Sequence, residues 1–242
     1  MAGTIVDMHL HTTNGASDSQ LTPEELAGVA ARIGLTGVNV SEHDRVWDRY
    51  TLEPYRAKHA PFFVNAGMEV STDLGHIITV GLPQYVPGIR HAEELRRALD
   101  AVGGYMIVAH PFRHWFDPVT FRRLGKEPPE MTPEAMAKLP IFSLVDAIEV
   151  LNGANTLREN RFALQVAEYL GKPGTGGSDA HSTSGIGIYT TVFERELRSS
   201  ADLLEELHAR RYYPALGLPE GRLRRFTLDE TRDEIESGAP SR

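Results

Sequence analysis

Short apolar runs recur along this chain, and nearly every one stops at a residue that can bind a metal ion. Ile5-Val6-Asp7-Met8 leads into His9-Leu10-His11, and Gly37-Val38-Asn39-Val40-Ser41 into Glu42-His43-Asp44. Phe62-Phe63-Val64-Asn65-Ala66-Gly67-Met68 ends in Glu69, and His76 opens Ile77-Ile78-Thr79-Val80. Tyr105-Met106-Ile107-Val108-Ala109 ends in His110-Pro111, Ala147-Ile148-Glu149-Val150-Leu151 in Asn152-Gly153, and Gly174-Thr175-Gly176-Gly177-Ser178 in Asp179-Ala180-His181. Residues two apart on a strand point to the same side, so His9 and His11 can converge on one point. Neutral imidazole is the commonest protein metal ligand. A fold that gathers these strand ends therefore gathers a metal site.

The segments between the runs read as helices. Thr22-Pro23-Glu24-Glu25 is a helix start, with Thr as N-cap, Pro in the first turn and acids beside it. Leu26, Val29, Ala30 and Ile33 then follow at helical spacing up to Gly34. Further helices are expected from Glu93 to Val102, after Thr132-Pro133-Glu134, from Thr156 to Leu170, and from Ser200 to about Arg211. Strands alternating with helices argue for an α/β protein with a parallel sheet. Functional residues at many strand C-termini favour a barrel. An open doubly wound sheet is the alternative, although its ligands usually gather near one switch point.

A chain of 242 residues suits a single barrel domain. With 0 cysteines, disulfides and thiolate metal sites are excluded. That composition, with no signal-like apolar segment after Met1, leads to the expectation of a cytoplasmic protein. No run approaches the roughly 20 apolar residues of a membrane span. The net charge of -8 and the lack of a basic, aromatic-interleaved stripe disfavour a stable complex with long nucleic acid. Residues 1–219 are expected to form the barrel domain. Within it, 113–140, with Pro118, Pro128, Pro129 and Pro133, forms an excursion over the barrel mouth. Residues 220–242 form a charged tail, ordered to about Phe226-Thr227-Leu228.

Taken together, His9-Leu10-His11, Glu42-His43-Asp44, Gly67-Met68-Glu69-Val70-Ser71, Ala109-His110-Pro111 and Gly177-Ser178-Asp179-Ala180-His181 resemble, in type and order, the motifs of the PHP superfamily, named for polymerases and histidinol phosphatases. The likeness is strongest to its stand-alone phosphoesterases and spans Ile5 to Phe193. The second motif of that family commonly reads Thr-Asp-His-Asp; here Ser41-Glu42 replaces the first two residues. The resemblance implies a distorted, TIM-like (β/α)7 barrel whose C-terminal face holds two or three divalent ions, usually manganese, zinc or iron. It implies one ion on His9, His11, Glu69 and Asp179, a second on Asp18, His43 and His181, and a third on Glu69, His76 and His110. Asp7, two residues before His9 on the same strand face, is read either as a partner orienting an imidazole or as a buried structural acid. His59, His91 and His208 read as surface histidines, and His114 as a loop histidine.

Such clusters activate water between metal ions and hold the attacking and leaving oxygens. The leading expectation is hydrolysis of a small phosphomonoester or a nucleotide end by a metal-bridging hydroxide, with a small phosphorylated molecule or short oligonucleotide as substrate. His181 is a candidate general acid. Arg113 matches a phosphate-binding arginine of the relatives; Arg158 is the second candidate and Arg45 a third. An amidohydrolase-like C–N hydrolase is the alternative, and a non-catalytic PHP module ranks last because the ligand set is intact.

Overall fold

The computed structural model describes residues 3–125 and 127–229. Among these residues the strands are β1 Ile5–Leu10, β2 Gly37–His43, β3 Phe63–Thr72, β4 Gly75–Val80, β5 Tyr105–Val108, β6 Ala147–Asn152, β7 Gly174–Gly177, β8 Tyr189–Phe193, β9 Tyr212–Leu216 and β10 Arg224–Arg225. The helices are α1 Pro23–Ile33, α2 Arg49–His59, α3 Ala92–Asp100, α4 Pro118–Leu124, α5 Pro133–Met136, α6 Ile141–Leu144, α7 Leu157–Leu170 and α8 Ser200–His208. All strands join one 10-stranded sheet in the order β10-β9-β8-β1-β2-β3-β4-β5-β6-β7.

The sheet is a curled half-barrel of mixed direction, which corrects the expectation of a (β/α)7 barrel. Neighbours β1-β2-β3 and β5-β6-β7 run parallel. The β4 strand is antiparallel to both its neighbours, and β8, β9 and β10 are added antiparallel beyond β1. The reason lies at Thr72-Asp73-Leu74-Gly75. This turn is too short for a crossover helix, and Gly75 adopts φ 112°, a left-handed geometry open to glycine.

Local signals explain the helices. Thr22 and Glu25 form a reciprocal capping box on α1, as do Thr156 and Glu159 on α7; Gly34 and Gly171 end them in left-handed conformations. The α8 helix stops at His208, short of the expected Arg211, because Arg210 turns left-handed (φ 56°) and β9 begins at Tyr212. The α2 helix had little signal: Pro54 lies inside it and only Leu52 and Tyr55 are buried.

Curling brings the end of β7 back onto β1. Asp179 N–H donates to the His9 carbonyl at 2.7 Å, and His11 N–H to the Ala180 carbonyl at 3.0 Å. Gly177 permits this approach, since a Cβ there would lie 2.5 Å from His9 Cβ.

Described residues of segment 113–140 anchor it to the core. Met136 and Phe121 are buried, and Phe112 makes edge-to-face contacts with Trp115 and Phe162. Of the charged tail, Arg224 and Arg225 extend the sheet and Phe226 is buried in the core. The run of Asp233, Glu234 and Glu236 lies outside the described residues.

Candidate metal centre

The first motif sits at the end of β1 with both imidazoles completely buried. His9 Nδ1 donates to Glu149 Oε1 at 3.0 Å, which directs Nε2 the other way. That Nε2 lies 3.1 Å from His11 Nε2, 3.6 Å from Glu69 Oε1 and 3.5 Å from Asp179 Oδ1. His11 Nε2 in turn lies 3.4 Å from both Glu69 Oε2 and Asp179 Oδ1.

Glu69, on β3 between His43 of β2 and Ile78 of β4, is the hub. His43 Nδ1 approaches its Oε2 at 3.0 Å, while His76 Nδ1 and His110 Nε2 approach Oε1 at 3.0 and 3.1 Å. His43 and His181 each stack against His11, with ring centroids 4.2 and 4.3 Å away, and lie 5.7 Å from each other. Asp18, exposed on the loop after β1, reaches His43 Nε2 at 3.4 Å and His181 Nε2 at 3.6 Å. All nine expected ligands are thus brought together. Four overlapping clusters have donor atoms close enough to share an ion: His11-His43-His181, His9-His110-Asp179, His9-His11-Glu69 and Glu69-His76-His110.

Two of these residues sit on unusual backbone. His110 has φ 29° and Asp179 φ 53°, both in the left-handed region that non-glycine residues rarely enter. Each is pinned: His110 N–H donates to Glu149 Oε2 at 2.8 Å, and Asp179 N–H to the His9 carbonyl.

The residues behind the cluster were mostly missed by sequence reasoning. Glu149 holds His9 and the His110 backbone, and it accepts a bond from Asn152 Nδ2 at 3.0 Å. Its signal was available: a carboxylate amid the apolar run Ala147–Leu151. Asp7 proves to be the buried structural acid and touches no imidazole. Its Oδ1 accepts from Ser178 N–H at 2.8 Å and His9 N–H at 3.3 Å, and its Oδ2 from Gly187 N–H at 3.0 Å. Burial nonetheless raises its pKa to about 6. Glu42 is buried away from the cluster, accepting bonds from Thr12 N–H and Oγ1 and from Trp47 Nε1. It anchors the loop that carries Asp18, and a Cβ on Gly15 would collide with its side chain.

Electrostatics favour a cation here. Burial alone would push Glu69 upward, yet the His9 charge and bonds from His110, His43 and His76 hold it well below the ordinary carboxylate range. Asp179 is likewise depressed against the effect of burial, by His9 and His11. Burial depresses His9, but Glu149, Asp179 and Glu69 outweigh it and hold it well above the usual imidazole value, whereas burial takes His11 down to about 4. Two facing Nε2 atoms flanked by ionised carboxylates require a shared proton or a metal ion between them. Nitrogen and oxygen donors of this kind suit manganese, iron or zinc. The residues therefore fit the metal centre implied by the motifs.

Arg113 stands at the rim, half-exposed, with Nη1 3.2 Å from Asp179 Oδ2. Arg158 is not brought to the cluster; its guanidinium lies over the Phe116 ring, 4.1 Å from the centroid. His181 Nδ1 donates to the Asp179 carbonyl at 3.0 Å, leaving the Nε2 lone pair for the cluster. His114 contributes its backbone N–H to Glu159 Oε1. His59 contacts Tyr55 and Glu24, His91 pairs with Asp73, and His208 meets the Gly103 carbonyl, all apart from the centre.

A model of the PHP-associated family matches residues 158–212, from the start of α7 to the start of β9. No curated protein matches the sequence. Solved structures share the fold at low identity. PsfC from Pseudomonas syringae PB-5123 is 20% identical with TM-score 0.60, covering 98% of this chain and 99% of its own. A two-domain protein from Bacteroides vulgatus, containing a predicted PHP-like metal-dependent phosphoesterase, is 20% identical with TM-score 0.58, over 87% of this chain and 64% of its own. The lesion-specific endonuclease EndoQ from Pyrococcus furiosus is 15% identical with TM-score 0.56, over 99% and 67%. Residues 158–212 thus resemble the PHP-associated family, and the chain shares the fold of these structures, a curled α/β sheet whose histidine-carboxylate cluster could hold metal ions here. Among the described residues no helix is long and apolar enough to cross a membrane.

Proposed function

We propose that this chain is a metal-dependent phosphoesterase acting on a small phosphomonoester or a nucleotide end. The observation that carries the reading is the pairing of a cation-ready cluster with Arg113, whose guanidinium reaches Asp179 at the rim. Bound manganese, zinc or iron, two or three ions in all, would neutralise phosphate oxygens and lower the pKa of water. His9, His11, Asp18, His43, Glu69, His76, His110, Asp179 and His181 would hold the ions. Arg113 would bind phosphate oxygens through its fork. In the overall step, water oxygen bonds to phosphorus, the P–O bond to the alcohol breaks, and a proton passes to the alkoxide.

His181 fits a ligand better than a general acid. Its Nδ1 proton is committed to a carbonyl, so only Nε2 is available, as a lone pair. Arg158 is a weaker candidate for phosphate binding than Arg113, because its charge is spent on the Phe116 face. The resemblance to PHP phosphoesterases and an endonuclease supports a phosphorylated substrate. Among the described residues, Lys58 pairs with Glu24 and Lys172 with the Val145 carbonyl, so neither of these lysines supports the C–N hydrolase alternative.

The test is to load the protein with Mn2+, Zn2+ or Fe2+ and offer p-nitrophenyl phosphate, nucleoside monophosphates and amide substrates. Release of inorganic phosphate is expected. Amine release without phosphate would overturn the reading in favour of C–N hydrolysis.

A further inference from the structure

A cavity of about 270 Å3 opens beside the cluster, and its lining combines two kinds of residue. His76, His110 and Arg113 are its polar members. Leu74, Trp115, Leu139 and Phe142 are among its apolar ones. The floor is rigid: Val108, Ala109 and Phe142 are each at most 2% exposed. Trp115 is held edge-on against Phe112, which is itself fully buried. Two of the apolar wall residues, Trp115 and Leu139, come from the proline-rich segment after Arg113, which was expected to shape access to the site.

We infer that this cavity binds the leaving group of the substrate, and that this group is compact and apolar, of phenyl-alkyl size. The inference rests on the phosphoesterase reading and deepens it. A phosphate held by Arg113 and the cluster would leave its ester group in the same cavity, against the apolar lining. An apolar cavity of about 150 Å3 suffices for a benzene ring, so this one accepts a ring with a short linker. A sugar or a ribose would bring hydroxyls against leucine, phenylalanine and indole carbon, where they would lose hydrogen bonds to water. Apolar pockets with a few polar groups at one end are the usual architecture of small-molecule sites.

The experiment compares 2-phenylethyl phosphate with ethyl phosphate, whose leaving alcohols have similar acidity, and with glycerol 1-phosphate. The metal-loaded full-length chain should favour the phenylethyl ester in kcat/KM by at least about tenfold, the discrimination that a few buried carbons supply. Leu139→Trp and, independently, Leu74→Trp fill the cavity from different walls. Each should reduce that preference to less than about threefold, with an unchanged circular dichroism spectrum showing that the variant is folded. Binding is read separately from turnover by the fluorescence of Trp115 in a Trp47→Phe background, titrated with 2-phenylethylphosphonate, which has no ester bond to cleave. Saturable quenching by this compound and not by ethylphosphonate is expected. Equal rates for the phenylethyl and ethyl esters, or preference for glycerol 1-phosphate, would overturn the inference while leaving the phosphoesterase reading intact. No phosphate from any ester would instead strike at that reading, and quenching by the phosphonate would then still decide whether the cavity binds an apolar group.

Discussion

Glu149 and His9 are 140 residues apart in sequence and meet at 3.0 Å, carboxylate oxygen to Nδ1, with both side chains wholly buried. This contact fixes the imidazole with Nδ1 donating away from the cluster and Nε2 turned toward Glu69 and Asp179. Partners of this kind orient metal-binding histidines and raise their basicity. Glu149→Ala should weaken metal affinity by about 10- to 100-fold, measured by competition with a chromogenic chelator. Glu149→Gln retains an acceptor for Nδ1 and should restore most of it. Equal affinity in the alanine variant and the parent would show that the contact does not govern the site.

Asp7 accepts three backbone N–H groups, and two of them, from Ser178 and Gly187, tie β1 to the loop after β7. Asp7→Asn replaces one acceptor oxygen by a donor that must face one of those N–H groups. A buried donor left without an acceptor costs about 1–3 kcal/mol, and loss of stability in that range is expected in urea denaturation. Unchanged stability would indicate that water fills the gap.

Arg113 should act in binding phosphate rather than in folding, since it is half-exposed at the rim. Arg113→Ala should raise KM for the ester and weaken inhibition by inorganic phosphate by about 10- to 100-fold, the scale of a charge-assisted bond. Arg113→Lys should recover only part, because an ammonium cannot make the two-pronged contact. An alanine variant with parental phosphate inhibition would remove Arg113 from the site.

Tyr105 and Tyr212 share a buried hydroxyl–hydroxyl bond of 2.9 Å between β5 and β9. Burial raises Tyr105 to about 12 and lifts Tyr212 well above the ordinary phenol value. In the unfolded chain both ionise near 10, so the folded state holds their protons more tightly. Their contribution to stability is complete below pH 10 and is lost as pH rises from 10 through 12. Denaturation curves across this interval should show falling stability, less steeply in Tyr105→Phe. A flat profile would contradict the buried pair.

Most of the cluster was legible because its ligands stand where an apolar run stops at a histidine or an acid, whereas Asp18, on the loop after β1, was reached through the family resemblance. His9, His43, Glu69, His110 and Asp179 needed no knowledge of strand order to be found. Glu149 was passed over because its meaning depends on a partner across the sheet, and Asn152 was noticed only as the end of a run. The half-barrel was less legible than the site. The turn before Gly75 did carry a hairpin signal, yet His76-Ile77-Ile78-Thr79-Val80 reads equally well as a parallel strand when the turn is ignored. Tyr189–Phe193 and Tyr212–Leu216 are short and pair antiparallel at the sheet's other edge, although α8 lies between them in sequence as it would between parallel strands. Glu42 shows the limit of motif reading: it occupies the family's motif yet faces Thr12 and Trp47, supporting the Asp18 loop from behind.

The central claim, that this cluster is a metal centre for phosphate-ester hydrolysis, is tested most directly by titrating chelator-stripped protein with Mn2+. Bound metal and phosphate release from p-nitrophenyl phosphate are followed together. The account predicts no release from the stripped protein, then activity that rises with bound metal and levels off at two or three ions per chain. Release undiminished by stripping, or full metal loading without phosphate from any ester, would contradict it.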